Sequence, residues 1–295
     1  MNNNLDSYYI FYMVAKSGSI SKAAESLYIS QPAVTWHIKN LENELETTLF
    51  IRTKNGTTLT EEGKIFLEYV EKGMSSFENG RNALTNLKKL DSGIIRIGAS
   101  TTVSKYVLFP YLEKFHNDYP NIDIRIVNTL TEELLKELRS GNLDLLILNL
   151  PMSETKDLII QKIIDVQDIF VGNKKYFDLT SGKVKLEELK DYPLLFQKSP
   201  SNTRKYLDNY LKQNQVELMP KMEIVSYNLI MDFIKSGFGI GYATKEFILE
   251  ELEKESLYEI EVTPNIPKRF IGAVTLKQTI PNYSVKRLLE SMIQK

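Results

Sequence analysis

The residues whose types and spacing bear most directly on chemistry lie between Ser30 and Asn43. Projected at 100° per residue, Val34, Ile38, Leu41 and Leu45 form one narrow apolar stripe. Pro32, Trp36, Lys39, Asn40 and Asn43 fall opposite it, with Thr35 on one flank and His37 nearer the core edge. Side chains of these types on a solvent-facing helix recognise nucleic acid: Thr35 suits a thymine methyl or phosphate, Lys39 a phosphate or guanine, and Gln31 a base edge or phosphate. Trp36, the one tryptophan of the chain, stands where packing gives it no reason to be. Catalysis has no comparable cluster. The absence of cysteine removes disulfides, thiolate metal sites and cysteine nucleophiles together. The two histidines, His37 and His116, stand in unrelated contexts and leave no metal cluster and no Ser-His pair.

A second set of polar residues falls where strands give way to helices: Ser100, Thr101 and Thr102; Thr129; Asn149; Ser201, Asn202, Thr203 and Arg204; and Tyr227. Taken singly, a Ser, Thr or Asn at such a place is an N-cap. Converging on one cleft, with Arg204 beside a helix start, they suit a small polar or anionic molecule. No positioned general base accompanies them, which favours binding over catalysis. Gly237-Phe238-Gly239-Ile240-Gly241 has no following Lys-Ser/Thr and precedes a strand, so it reads as a helix end and turn, not a phosphate loop.

The elements that must position these residues follow from periodicity. Helices are expected at about 6–16 and 21–27, then from the Ser30 cap with Pro32 in the first turn. LFIRTKNGTTLT holds two β-prone runs around Asn55-Gly56, a two-residue hairpin signal, so the helix pair carries a wing with Arg52 and Lys54 on it. Thr60 caps a long helix to about Lys89, whose apolar residues Phe66, Val70, Met74, Phe77, Leu84 and Leu87 call for a neighbouring helix, the same one from a second subunit. Packing of that stripe on its own wing or on the C-terminal part is the alternative. Beyond Asp91-Ser92-Gly93, strands and helices alternate, which indicates βαβ units, a mostly parallel sheet and two α/β lobes.

Charge sets limits. The net charge is −1 overall, and residues 1–90 carry ten basic and ten acidic side chains, so nonspecific coating of nucleic acid is weak and contacts must do the selecting. No apolar run approaches the ~20 residues that span a bilayer, and MNNNLDSYY lacks the regions of a signal peptide, so a cytoplasmic location without membrane contact is expected.

The ordered segments SISKAAESLYISQPAVTWHIKNLENEL, LFIRT and LTEEG, followed by IGAS, SGNLDLLI, SPSNTR and SGFGIGY, resemble the LysR-type transcriptional regulators over the whole length. The resemblance implies an α/β protein with an N-terminal all-α winged helix-turn-helix domain at 1–60, a dimerising linker helix at 61–91 and a two-lobed, periplasmic-binding-protein-like effector domain at 92–295. Lobe I falls at about 92–165 and 269–295, lobe II at about 166–268. It implies double-stranded promoter or operator DNA as partner, a small-molecule effector between the lobes, and self-association to dimers and tetramers, while the residues themselves lead to the expectation of no cofactor, metal or enzymatic activity. Carried onto this sequence, Gln31, Pro32, Thr35 and Trp36 match the recognition-helix positions and Arg52 the wing, and the reading of the residues adds Ser30, Lys39 and Lys54 to the expected DNA contacts. Ser100, Thr102, Thr129, Ser201, Asn202 and Thr203 match cleft positions of the family. Two residues depart from its pattern: Trp36 replaces a residue more often small, polar or basic, and Glu46 stands where a glycine usually ends the recognition helix. A small-molecule binding protein without a regulatory DNA role is the alternative.

Overall fold

The computed structural model of the protein describes residues 5–53, 56–88, 93–152, 156–279 and 281–293, with the backbone alone for 52, 53, 79 and 82–88. The chain divides into two compact units, residues 1–90 with the turn 139–142, and the remainder.

The first unit opens with α1 (Leu5–Ser17), α2 (Ile20–Leu27) and α3 (Gln31–Glu44). Ser19 and Ser30 cap α2 and α3, their hydroxyls accepting from the N–H groups of Lys22 and Ala33, and Pro32 sits where its missing N–H costs nothing. Both helices end in a left-handed residue that is not glycine, Tyr28 at φ 56° and Glu46 at φ 50°. At each end two N–H groups turn back: Tyr28 to Glu25 and Ile29 to Ala24, then Glu46 to Asn43 and Thr47 to Glu42. β1 (Phe50–Thr53) and β2 (Gly56–Leu59) pair antiparallel with Thr53 opposite Gly56, and the connecting residues 54 and 55 lie outside the described residues. α4 (Glu61–Lys88) follows, its first turn capped by Thr60, whose Oγ1 accepts from Gly63 N at 2.9 Å. A Cβ at Gly63 would lie 2.2 Å from the Leu49 carbonyl oxygen, so the helix leaves the hairpin at backbone contact distance. Phe11, Val14, Ala23, Ala24, Val34, Ile38, Leu41, Leu49 and Val70 form the core. The small residues Ala23 and Ala24 lie in it between α2 and its neighbours. Asp91 and Ser92, expected to end α4, lie outside the described residues.

The second unit begins with β3 (Gly93–Ala99), a helical stretch of α5 (Thr101–Val103), a π-helical turn (Ser104–Leu108) and α6 (Phe109–Asp118), then β4 (Ile122–Val127), α7 (Thr131–Arg139) and β5 (Leu145–Leu150). β6 (Leu158–Val166) precedes β7 (Asp168–Gly172), and β8 (Val184–Lys185), β9 (Leu194–Gln197), α8 (Asn202–Gln213), β10 (Met222–Ile224), α9 (Tyr227–Lys235), β11 (Ile240–Thr244), α10 (Leu249–Glu253), β12 (Tyr258–Ile260) and β13 (Val262–Thr263) follow. β14 (Arg269–Leu276) and α11 (Tyr283–Ile293) close the chain. Two five-stranded sheets result, in the orders β4-β3-β5-β14-β6 and β10-β9-β11-β7-β12. Each is the centre of one lobe. Four of the five strands of each sheet run in one direction, as the alternation of strands and helices predicts. The expected mostly parallel sheet is therefore found, with one exception in each, because β14 and β7 run against both neighbours. These are the strands that enter a sheet after the chain crosses between lobes, at Gln167 and again just before Arg269, and a strand arriving from the other lobe is not bound by the βαβ rule. The largely buried strands β5 and β9 open as continuous apolar runs, Leu145–Leu148 and Leu194–Phe196.

Candidate nucleic-acid interface and effector cleft

On α3, Val34, Ile38 and Leu41 are buried and Leu45 is half-buried, while Ser30, Gln31, Pro32, Trp36 and Lys39 are exposed and Thr35 is half-buried. Trp36 keeps 60% of its surface. Its ring stands edge-on to His37 at 4.9 Å, and His37 Nδ1 is 2.9 Å from Ser7 Oγ on α1. The indole is thus held outward from a side chain that is itself tied to the core. Tyr28, in the turn before α3, is 95% exposed, a position that the sequence gives no cue for because a left-handed tyrosine leaves no compositional mark. Glu42 Oε1 accepts from Leu49 N at 2.8 Å and Phe50 N at 3.2 Å, so it joins α3 to β1. Arg52 pairs with Thr57 through the hairpin backbone, and its side chain and Lys54 lie outside what the structure describes.

In the second unit, the carboxyl ends of β3, β4 and β5 meet the start of α8 around a cavity of about 70 Å³. Ser100, Thr102, Thr129, Asn149, Ser201, Asn202 and Thr203 line it, together with Thr131 and Gln197. Three helix starts converge here. Ser100 Oγ accepts from Val103 N at the first, Ser201 Oγ from Arg204 N at the third, and α7 begins at Thr131. First-turn N–H groups have no partner within their own helix and carry the positive end of its dipole. None of the residues described as lining this cavity is charged. A larger compartment of about 330 Å³ shares Thr131, Asn149 and Asn202 and adds Lys205, Tyr206 and Arg269. Two contacts join the lobes there: Asn202 Nδ2 donates to Thr131 Oγ1 at 2.9 Å, and Lys205 pairs with Glu132 at 2.7 Å.

Behind both compartments lies a buried ion pair. Arg269 Nε is 2.5 Å from Asp168 Oδ2 and Nη2 is 2.9 Å from Oδ1, while Thr244 Oγ1 donates to the same carboxylate at 2.8 Å. Asp168 opens β7 and Arg269 opens β14, so the pair fastens together the two strands that follow the crossings. Burial acts to lower the Arg269 guanidinium pKa, and Asp168 beside it more than offsets this and holds it above its ordinary value.

Family models match the chain in two stretches: residues 5–64 fit the bacterial regulatory helix-turn-helix protein of the lysR family, and residues 88–295 fit the LysR substrate binding domain. The chain belongs to the LysR family. It is a LysR-type transcriptional regulator, with the helix-turn-helix and two-lobed substrate-binding domain of that family. A protein of Phaeodactylum tricornutum named "Probable RuBisCO transcriptional regulator" is 30% identical over 258 residues, 86% of this chain and 84% of that protein. A single-residue variant of full-length OxyR from Pseudomonas aeruginosa superposes with a TM-score of 0.73 at 20% identity, over 98% of this chain and 97% of that one. Full-length CbnR in complex with its target DNA does so at 0.67 and 16% identity, over 98% and 99% of the two chains. These two likenesses are of fold.

Three residues expected as effector contacts of this LysR-type regulator lie apart from the cavity lining. Tyr227 does not line the cleft: it is buried in the core, edge-on to Tyr106 at 5.9 Å and to Phe247 at 6.2 Å, and burial pushes its phenol pKa up. Arg204 is committed elsewhere, with Nε 2.7 Å from Asp208, Nη1 bonded to Glu223, and Nη1 also 3.1 Å from the Gln197 carbonyl oxygen. Thr101 is exposed and lies outside the cavity lining. Gln197 and Arg269 were not foreseen at the site, since a strand-end glutamine and an arginine opening a strand carry no motif. Among the described residues no helix is long and apolar enough to cross a membrane.

Proposed function

We propose that this regulator reads its operator with the outer face of α3 and is switched by a small anionic or strongly polar effector held between the two lobes. Gln31, Pro32, Thr35, Trp36 and Lys39 make the helix contacts from the Ser30 cap, and Arg52 and Lys54 make the wing contacts. The observation behind this is the exposure of Trp36 and Lys39 opposite the buried Val34, Ile38 and Leu41. For the effector, three helix starts around a cavity lined without charged side chains favour an anion, which carries its own charge to the N–H groups. Ser100, Thr102, Thr129, Asn149, Ser201, Asn202 and Thr203 are its proposed contacts. Residues 1–60, 61–91 and 92–295 act as reading head, dimerising helix and effector domain. The protein works in the cytoplasm and catalyses no reaction, since the cavity lining offers no acid or base among the described residues.

Titration of the full chain with its own upstream intergenic DNA tests the reading. Trp36 emission and anisotropy change at low salt, and Thr35→Ala lowers discrimination between operator and scrambled DNA by about 1–3 kcal/mol. Unchanged emission and anisotropy would remove α3 from the interface, and equal losses on all sequences would make Thr35 a backbone contact.

A further inference from the structure

We infer that Asn149 sets the chemistry of the effector: it presents Nδ2 to the cleft as an obligate hydrogen-bond donor, so the ligand must place an acceptor oxygen there. The inference rests on the cleft being the effector site.

The argument starts from Arg269. A guanidinium carries donors and no acceptor, so the Asn149 carboxamide atom that lies 2.5 Å from Nη1 is the oxygen. The nitrogen is thereby fixed on the other side by chemistry, where an isolated asparagine leaves the assignment open. Arg269 cannot turn to relax this. Its side chain is 1% exposed and Asp168 is fully buried, with both carboxylate oxygens engaged by the guanidinium. Asn149 itself sits at the end of β5, between buried Leu148 and Leu150. Among the described residues no protein group accepts from Asn149 Nδ2. The same side chain lines both the smaller cavity and the larger compartment. A donor of fixed direction therefore stands where the two meet.

A ligand oxygen at this point completes the chain from Asp168 through Arg269 and Asn149. An ammonium in the same place would meet the donor with another donor and leave both unpaired, the mismatch that gives polar sites their strongest discrimination. With three helix starts around the smaller cavity, the acceptor that fits is a carboxylate or phosphate oxygen.

The test follows thermal unfolding of the full chain with acetate, pyruvate, succinate, benzoate and inorganic phosphate, and with putrescine and benzylamine as amines, at constant ionic strength. At least one oxyanion raises the wild-type midpoint and neither amine does. Asn149→Asp keeps a partner for Arg269 but turns an acceptor toward the ligand, and weakens that oxyanion by about tenfold or more. Asn149→Leu, matched in size and without a donor, does the same and carries the test if the aspartate variant fails to fold. Thr203→Trp fills the cavity and abolishes the response. A response that Thr203→Trp abolishes while both Asn149 variants keep it within about twofold overturns the inference and leaves the cleft assignment standing. Amines that stabilise through the cleft as well as the oxyanions do likewise. If no compound gives a response that Thr203→Trp removes, the cleft assignment fails and the inference with it.

Discussion

Glu46 occupies φ 50°, and the bonds from Glu46 N to Asn43 O at 3.3 Å and Thr47 N to Glu42 O at 3.0 Å hold it there to close α3. The left-handed region costs a residue with a Cβ about 1–2 kcal/mol, while glycine returns about 0.5–1 kcal/mol through its freer unfolded chain. Glu46→Gly is therefore expected to stabilise the first unit by about 0.5 kcal/mol, whereas Glu46→Ala keeps the Cβ and gains nothing. Urea unfolding of the full chain checks it, and equal midpoints for the two variants would place no strain at this residue. Single residues were legible where one period decides their fate. Trp36 and Lys39 follow from the apolar stripe on the same helix. Arg204 and Tyr227 do not, because Glu223 reaches Arg204 from the edge strand β10 and Tyr106 reaches Tyr227 from the other lobe. Both stand near helix starts, where sequence alone cannot separate a ligand contact from a buried or paired side chain.

At the scale of elements, α4 divides its apolar residues between two tasks. Val70 is buried in the core of its own unit, with Phe66, Leu67 and Met74 packed against that core. Ile65, Tyr69 and Phe77 stay 61%, 67% and 60% exposed. The sequence showed one line of apolar residues on a long helix and two ways to cover it, and the core of its own unit covers Phe66, Val70 and Met74 of that line. Leu84 and Leu87, on the same helix, have side chains outside the described residues. An exposed set of large apolar residues on one helix calls for a partner, and we propose the same helix of a second copy as that partner. Tyr69→Glu with Phe77→Glu should shift the mass measured by light scattering toward the monomer while the unfolding midpoint of the first unit stays near wild type. A double variant that keeps its wild-type mass would assign this face no role in association. The hairpin and the caps of α3 and α4 were legible for a different reason, since their signals are carried by adjacent residues. The antiparallel course of β7 and β14 was not, because it depends on where the chain re-enters a sheet after a crossing.

At the scale of the whole molecule, two crossings tie the lobes together, the Asp168–Arg269 pair fastens the strands that follow them, and the Asn202–Thr131 and Lys205–Glu132 contacts join the lobes across the cleft. A ligand touching both Ser100 and Thr203 touches both lobes, so its binding energy depends on their arrangement. Alternation of strands and helices made the two lobes legible, but the contacts that hold them at one separation join residues tens of positions apart and leave no local trace. For such a ligand to alter transcription, it must bind the DNA-bound and DNA-free forms with different affinity. The ratio of operator Kd values with and without saturating ligand must then equal the ratio of ligand Kd values with and without saturating operator, with a coupling factor in the range of about 5–150. Anisotropy on labelled operator gives the first ratio, and calorimetry of the ligand gives the second. Asn149→Leu should weaken the ligand while leaving ligand-free operator affinity unchanged, because Asn149 lies in the effector cleft and not on α3. Unequal ratios would mean that ligand and operator act on different species of the protein, such as different association states, and the switch would then lie in assembly and not in the lobes.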